Sequence, residues 1–123
     1  MKLETIRLMG EVLQTSWGKE SSNDGTYSIK YDLSQDKLTL KFTTLVHFAS
    51  EASLKPQVEA ANSQAIQLCD AKVSNLKKSF KATVGESLKL KDLGSNDSFE
   101  LIQPTGPRKV AYYRYNHVFD IQD

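Results

Sequence analysis

Cys69, His47 and His117 are the side chains with obvious reactive chemistry in this chain. Nucleophilic catalysis needs a nucleophile beside a base, with a third group orienting that base. Cys69 falls mid-run in a stretch with helical spacing and lies on its apolar stripe, where burial raises a thiol's pKa and lowers its reactivity. It reads as a small core hydrophobe. A lone cysteine also rules out an internal disulfide. His47 and His117 serve a dispersed His and carboxylate site only if the fold brings both into one cleft. Ser74-Asn75-Leu76-Lys77 matches a bare Ser-x-x-Lys pattern, but it sits mid-helix without the companion motifs that make such a serine a nucleophile.

Metal and phosphate chemistry find little support. One cysteine and two distant histidines do not supply the four ligands of a structural zinc site. Asp92, Asp97 and Glu100 surround a glycine-containing segment but lack the Asp-x-Asp spacing of a calcium loop, so they read as a solvated turn. Gly94 and Gly106 stand alone, so no glycine-rich phosphate loop is present. No metal and no cofactor are expected.

One constellation remains, in Arg108-Lys109-Val110-Ala111-Tyr112-Tyr113-Arg114-Tyr115-Asn116-His117. Its candidate binding residues are Arg108, Lys109, Tyr112, Tyr113, Arg114, Tyr115 and His117. Tyrosines and cations on one strand suit stacking and phosphate contact, as in single-strand binders. Between residues 70 and 114, Lys72, Lys77, Lys78, Lys81, Lys89, Lys91, Arg108, Lys109 and Arg114 outnumber Asp70, Glu86, Asp92, Asp97 and Glu100. The competing reading is structural. Alternate residues of a strand point to opposite faces, so Tyr113, Tyr115 and Phe119 suit a core, with Tyr112 and Arg114 as a cation–π pair. Tyr and Arg are equally the residues of protein–protein hot spots.

The elements that must position these residues follow from period and punctuation. Residues 2–16 carry Leu3, Ile6, Gly10 and Leu13 on one helical face, with Trp17 beyond. Residues 18–25 are polar and turn-rich and read as a mobile loop. Residues 26–48 switch to period two on both sides of Ser34-Gln35-Asp36 and predict a hairpin. The far end of its second strand is apolar on both faces at Leu45, Val46 and Phe48, which predicts cover on both sides.

Residues 54–84 form the organising helix. Ser53 suits the N-cap, Pro56 the first turn and Gly85 a left-handed C-cap, and Lys77, Lys78 and Lys81 complement the C-terminal dipole. Its apolar residues recur at steps of three and four from Leu54 to Val84. In residues 87–121, Leu88 and Leu90 predict a short strand, Gly94 to Asp97 a break, and Phe99 to Ile102 another strand. Pro104 to Pro107 then make a turn before a long last strand. The sequon Asn96-Asp97-Ser98 reads as a turn.

The reading is one α+β domain over 1–123. An antiparallel sheet of four or five strands packs on one long helix, beside a short N-terminal helix, in the order α-ββ-α-β(β)β. A net charge of +1 does not nominate nucleic acid or membrane by bulk charge. No stretch suits a bilayer span. Glu4, Arg7 and Glu11 break a signal-peptide core at the start, which predicts a reduced, cytoplasmic protein.

With no catalytic constellation, the first expectation is a non-enzymatic binding or assembly protein. It self-associates or docks on a protein partner through a sheet edge or an open face. By analogy of size and class alone it suits a small subunit of a larger assembly such as a viral particle, or a chaperone-like adaptor. The alternatives are a single-stranded nucleic-acid binder using residues 108–117 and a small enzyme with His47 and His117 in one cleft.

Overall fold

The structure is a computed structural model, which describes residues 2–103 and 109–122. The elements are α1 (Lys2–Ser16), β1 (Tyr27–Ser34), β2 (Lys37–Phe48), α2 (Glu51–Val84), β3 (Leu90–Gln103) and β4 (Lys109–Ile121). The four strands form one antiparallel sheet in the order β1-β2-β4-β3. The α+β architecture and the long central helix are as the periodicities predict.

The helix starts one turn earlier than its sequence signals suggest. Ser50 is the N-cap, in extended geometry, and Ser53 is the third helical residue. The Ser53 hydroxyl accepts the Ser50 N–H at 3.1 Å and the Ala49 N–H at 3.2 Å, satisfying donors that precede the helix. Pro56 therefore lies in the second turn, where its missing N–H leaves the exposed Ala52 carbonyl to solvent. At the other end Gly85 takes φ 88°, and its N–H reaches the Lys81 carbonyl at 2.9 Å.

Thirty-four residues make a rod of about 50 Å. Its buried stripe is Ala61, Ala65, Cys69, Leu76 and Phe80. The first three are small and four apart, so this half lies close on the sheet, while Leu76 and Phe80 fill the wider space beside α1. The stripe covers β2 and β4, and α1 closes the remaining side. Cys69 has no exposed surface, and burial, followed by the charge of Asp70, pushes its thiol up to about 12. It is expected to resist a disulfide-exchange reagent at pH 8 in the folded protein and to react fully in guanidinium chloride. Rapid labelling of the folded protein would place Cys69 outside the core.

The face of α1 turned to the core is Met9, Val12 and Leu13, continued by Trp17, and Leu3 is 76% exposed. The helix is rotated from the expected face, and Leu33 of β1 approaches it at Gly10, its Cδ2 3.5 Å from where a Cβ would stand. Trp17 locks the corner. Its indole N–H donates to the Ile29 carbonyl at 3.2 Å, and its ring meets Tyr31 edge-on at 5.0 Å. Lys72 of α2 stands over the ring at 4.7 Å and donates to the Trp17 carbonyl.

The C-terminal strands depart furthest from expectation. Residues 90–103 are one continuous strand. Gly94 (φ 105°) sits at a bulge in the register between Asp92 and Gly94, with the Asp92 carboxylate accepting its N–H at 2.7 Å. A lone glycine can serve a bulge as well as a turn, and pairing with β4 across fourteen residues decides for the bulge here. The sequon therefore lies within a strand. The expected turn from Pro104 to Pro107 falls outside the described residues, as does Arg108. Leu45 points away from α2 and is half exposed, so the far end of β2 is covered on one face only.

Candidate functional site

The last strand is not an edge. β4 pairs with β2 on one side and with β3 on the other, so its backbone has no open flank. Among the described residues, β4 (109–121) offers no edge for docking. Its candidate residues also part company. Tyr113 and Tyr115 are buried under α2, His117 is mostly buried beside them, and Lys109 shares their face at the strand's start. Tyr112 and Arg114 stand on the opposite, helix-free face, with the guanidinium carbon 4.9 Å from the ring centroid. His117 pairs with Leu40, while His47 lies seven residues further along β2 and faces the other way. No single cleft holds both histidines.

The two edge strands are β1 and β3, and they are treated differently. The outward backbone of the first half of β1 is already taken. Ser22 N–H donates to the Tyr27 carbonyl at 3.0 Å, the Glu20 carbonyl accepts Ile29 N–H at 2.6 Å, and Trp17 holds the Ile29 carbonyl. The segment that performs this is the turn-rich 18–25, expected to be a mobile loop. It is tied down by the Asp24 carboxylate, which accepts from the Ser22 hydroxyl, the Thr26 hydroxyl and the Thr26 N–H. Those bonds hold Asp24 below the usual carboxylate range.

Among the described residues β3 has no such cover. It is fourteen residues long, and its large apolar side chains are half in water: Leu93 46%, Phe99 48%, Leu101 48% and Ile102 55% exposed. Phe99 and Leu101 face the helix side, since they pair with the buried Tyr113 and Ala111. The helix axis runs over β2 and β4, so Phe99 borders a groove rather than a core, and Leu101 lies half exposed on the same face. Leu54, Val58 and the stems of Glu51, Lys55 and Glu59 form the groove's other wall, enclosing about 350 Å³.

Polar struts hold β3 to the body. Tyr113 Oη donates to Asp97 at 2.8 Å and accepts from Asn62 Nδ2 at 3.0 Å, joining β4, β3 and α2 at one point. Burial, first of all, raises the Tyr113 phenol. Farther along, Asp92 meets His117 Nε2 at 2.8 Å, and His117 Nδ1 meets Tyr115 Oη at 3.1 Å. This carboxylate–imidazole–hydroxyl order is that of a nucleophile relay. However, Tyr115 is buried and burial raises its phenol, the reverse of an activated nucleophile. The chain fixes strands and offers no reacting atom.

The hydrogen bond from His117, then that from Gly94 N–H, lowers the Asp92 pKa. A depressed carboxyl stabilises the fold above its ordinary range, near pH 4, and that contribution is lost as pH falls through the folded value. Asp92→Asn is expected to lower the melting temperature slightly at pH 7 and to flatten its further fall between about pH 4 and pH 2. An acid limb as steep as that of the parent would show that Asp92 is not held there.

Edge strands were legible as strands, but which one lies outermost was not. A signal did exist in the apolar character of Leu93, Phe99, Leu101 and Ile102 on both faces of one strand. That pattern is shared by strands buried on both sides. No protein-family model matches the chain, and no curated protein matches it in sequence.

Proposed function

We propose that this protein is an assembly module that joins a second copy of itself along the β3 edge. The observation that carries this is the contrast between the two edges of one sheet. The first half of β1 is capped by its own chain, while among the described residues no segment covers the fourteen-residue β3. Natural proteins blunt long open edges with prolines, bulges, inward charges or covering loops; the bulge at Gly94 and the inward Asp92 and Asp97 blunt the first part of β3, and the stretch from Phe99 to Leu101 beyond them is the apolar pairing surface. A two-fold axis normal to the sheet beside β3 sets the strand antiparallel to its copy and keeps all helices on one side. In the register that places Leu90 opposite Leu101 of the second copy, Lys91 falls opposite Glu100 and Phe99 opposite Asp92. Phe99 and Leu101 then meet the second copy across the groove beside α2. Light scattering at tens of micromolar tests this directly. A mass of twice 13.8 kDa, or of a higher even multiple, is expected, and a strict monomer overturns the proposal.

A further inference from the structure

The helix-free face of the sheet holds an arrangement that self-association through β3 does not use. Two adjacent rows cross all four strands. One row is Lys30, Lys41, Asn116 and Asn96, and the next is Ser28, Thr43, Arg114 and Ser98. Lys30 and Lys41 stand directly opposite each other, and like charges so placed destabilise a sheet. Neither makes an ion pair among the described residues, and both are exposed. Arg114 lies one row on, at 3.9 Å from the exposed Glu100. The other side chains in the two rows are hydroxyls and amides.

Beside these rows is a shallow pocket of about 160 Å³, where residues 21–28 curl over the sheet. Ser21, Ser28 and Thr43 line it with hydroxyls, and Tyr112, stacked with Arg114, lines it with a ring. Cations, hydroxyl donors and one half-buried ring, with Arg114 over it, match an alternation of phosphate, sugar and base. An apolar partner would leave the two lysines unpaired and buried.

We infer that this face binds single-stranded nucleic acid, with Lys30, Lys41 and Arg114 on successive phosphates and Tyr112 under a base. Three phosphate contacts give a salt slope of about −2 for a single strand, or about a 20-fold loss of affinity between 50 and 200 mM salt.

The test is fluorescence anisotropy with a labelled single-stranded RNA of about 12 nucleotides, within the span of a small sheet platform. The expected results are binding at 50 mM salt, weakening by at least about 10-fold in Lys30→Ala with Lys41→Ala, and by about 5-fold or more in Tyr112→Ala. Lys77→Ala with Lys78→Ala removes the same charge from the far end of α2 and should leave binding unchanged. Melting curves matching the parent confirm that each variant is folded. Three outcomes overturn the inference. One is no binding at 50 mM salt. The second is equal weakening by the α2 pair. The third is tighter binding to anionic phosphatidylserine vesicles or to an acidic peptide than to the RNA.

Discussion

Replacing Phe99 and Leu101 together by lysine is expected to raise the dissociation constant of self-association by at least about 100-fold while leaving the fold intact. Fully burying a large apolar side chain is worth roughly 1.5–3 kcal/mol, and each of these is already about half buried in one copy. Pairing removes most of the remainder. About 1 kcal/mol per side chain, counted over two residues in two copies, approaches 4 kcal/mol, whereas 100-fold needs only about 2.7 kcal/mol. Lysines at an edge further oppose pairing, which is how many natural sheets protect theirs. The monomer tolerates the change because both side chains are half exposed and lie outside the buried core. Leu3→Lys, on the exposed side of α1 and 76% exposed, is the matched control and should leave the association constant unchanged. Sedimentation velocity over a concentration series reads both. Equal association by the Phe99/Leu101 variant and the parent would remove β3 from the interface.

Trp17→Ala is expected to cost about 3–5 kcal/mol of stability, among the largest effects of any single substitution in this chain. The ring is nearly fully buried and contacts two elements at once, β1 through the Ile29 carbonyl and the Tyr31 ring and α2 through Lys72. Its loss leaves a cavity at the α1–β1–α2 corner and an unpaired carbonyl on the β1 edge. It also frees Lys72, whose pKa burial lowers, from the ring that partly compensates it. Small domains are stable by roughly 5–15 kcal/mol, so the variant should be marginal at 37 °C. Trp17→Phe keeps most of the ring and loses the N–H, for about 1–2 kcal/mol. Urea denaturation separates the two. A Trp17→Ala protein as stable as the parent would show that the indole does not close this corner.

Much of the fold was legible because its signals are local. The period-two runs of Tyr27–Ser34 and Lys37–Phe48, and the steps of three and four toward Val84, each reflect a face meeting a core. What escaped the sequence was decided by contacts remote along the chain. Gly94 with its polar neighbours has the composition of a turn, yet pairing with residues 110–121 draws it into a bulge. Ser50 and Ser53 are both competent caps, and only the end of β2 at Phe48 selects the earlier one. The lateral place of the candidate binding strand was not legible. Lateral order depends on which hairpin strand meets β2, and no residue pattern encodes that choice. The tyrosines of β4 divide between two faces by simple alternation, so only Tyr112 and Arg114 belong to an open surface. Their neighbours there, Lys30 and Lys41, come from the first hairpin and become adjacent only through the register.

The central claim is that β3 pairs with its own copy, and backbone amide exchange followed against protein concentration tests it most directly. Amides of β3 that point away from β4, Gly94 apart, have no partner among the described residues and should exchange within seconds at low concentration. At concentrations above the association constant they should gain protection, in alternation along residues 91–102, while the β1 and β2 amides stay unchanged. Protection that is independent of concentration, or that rises on β1 and leaves β3 unprotected, would contradict pairing along this edge.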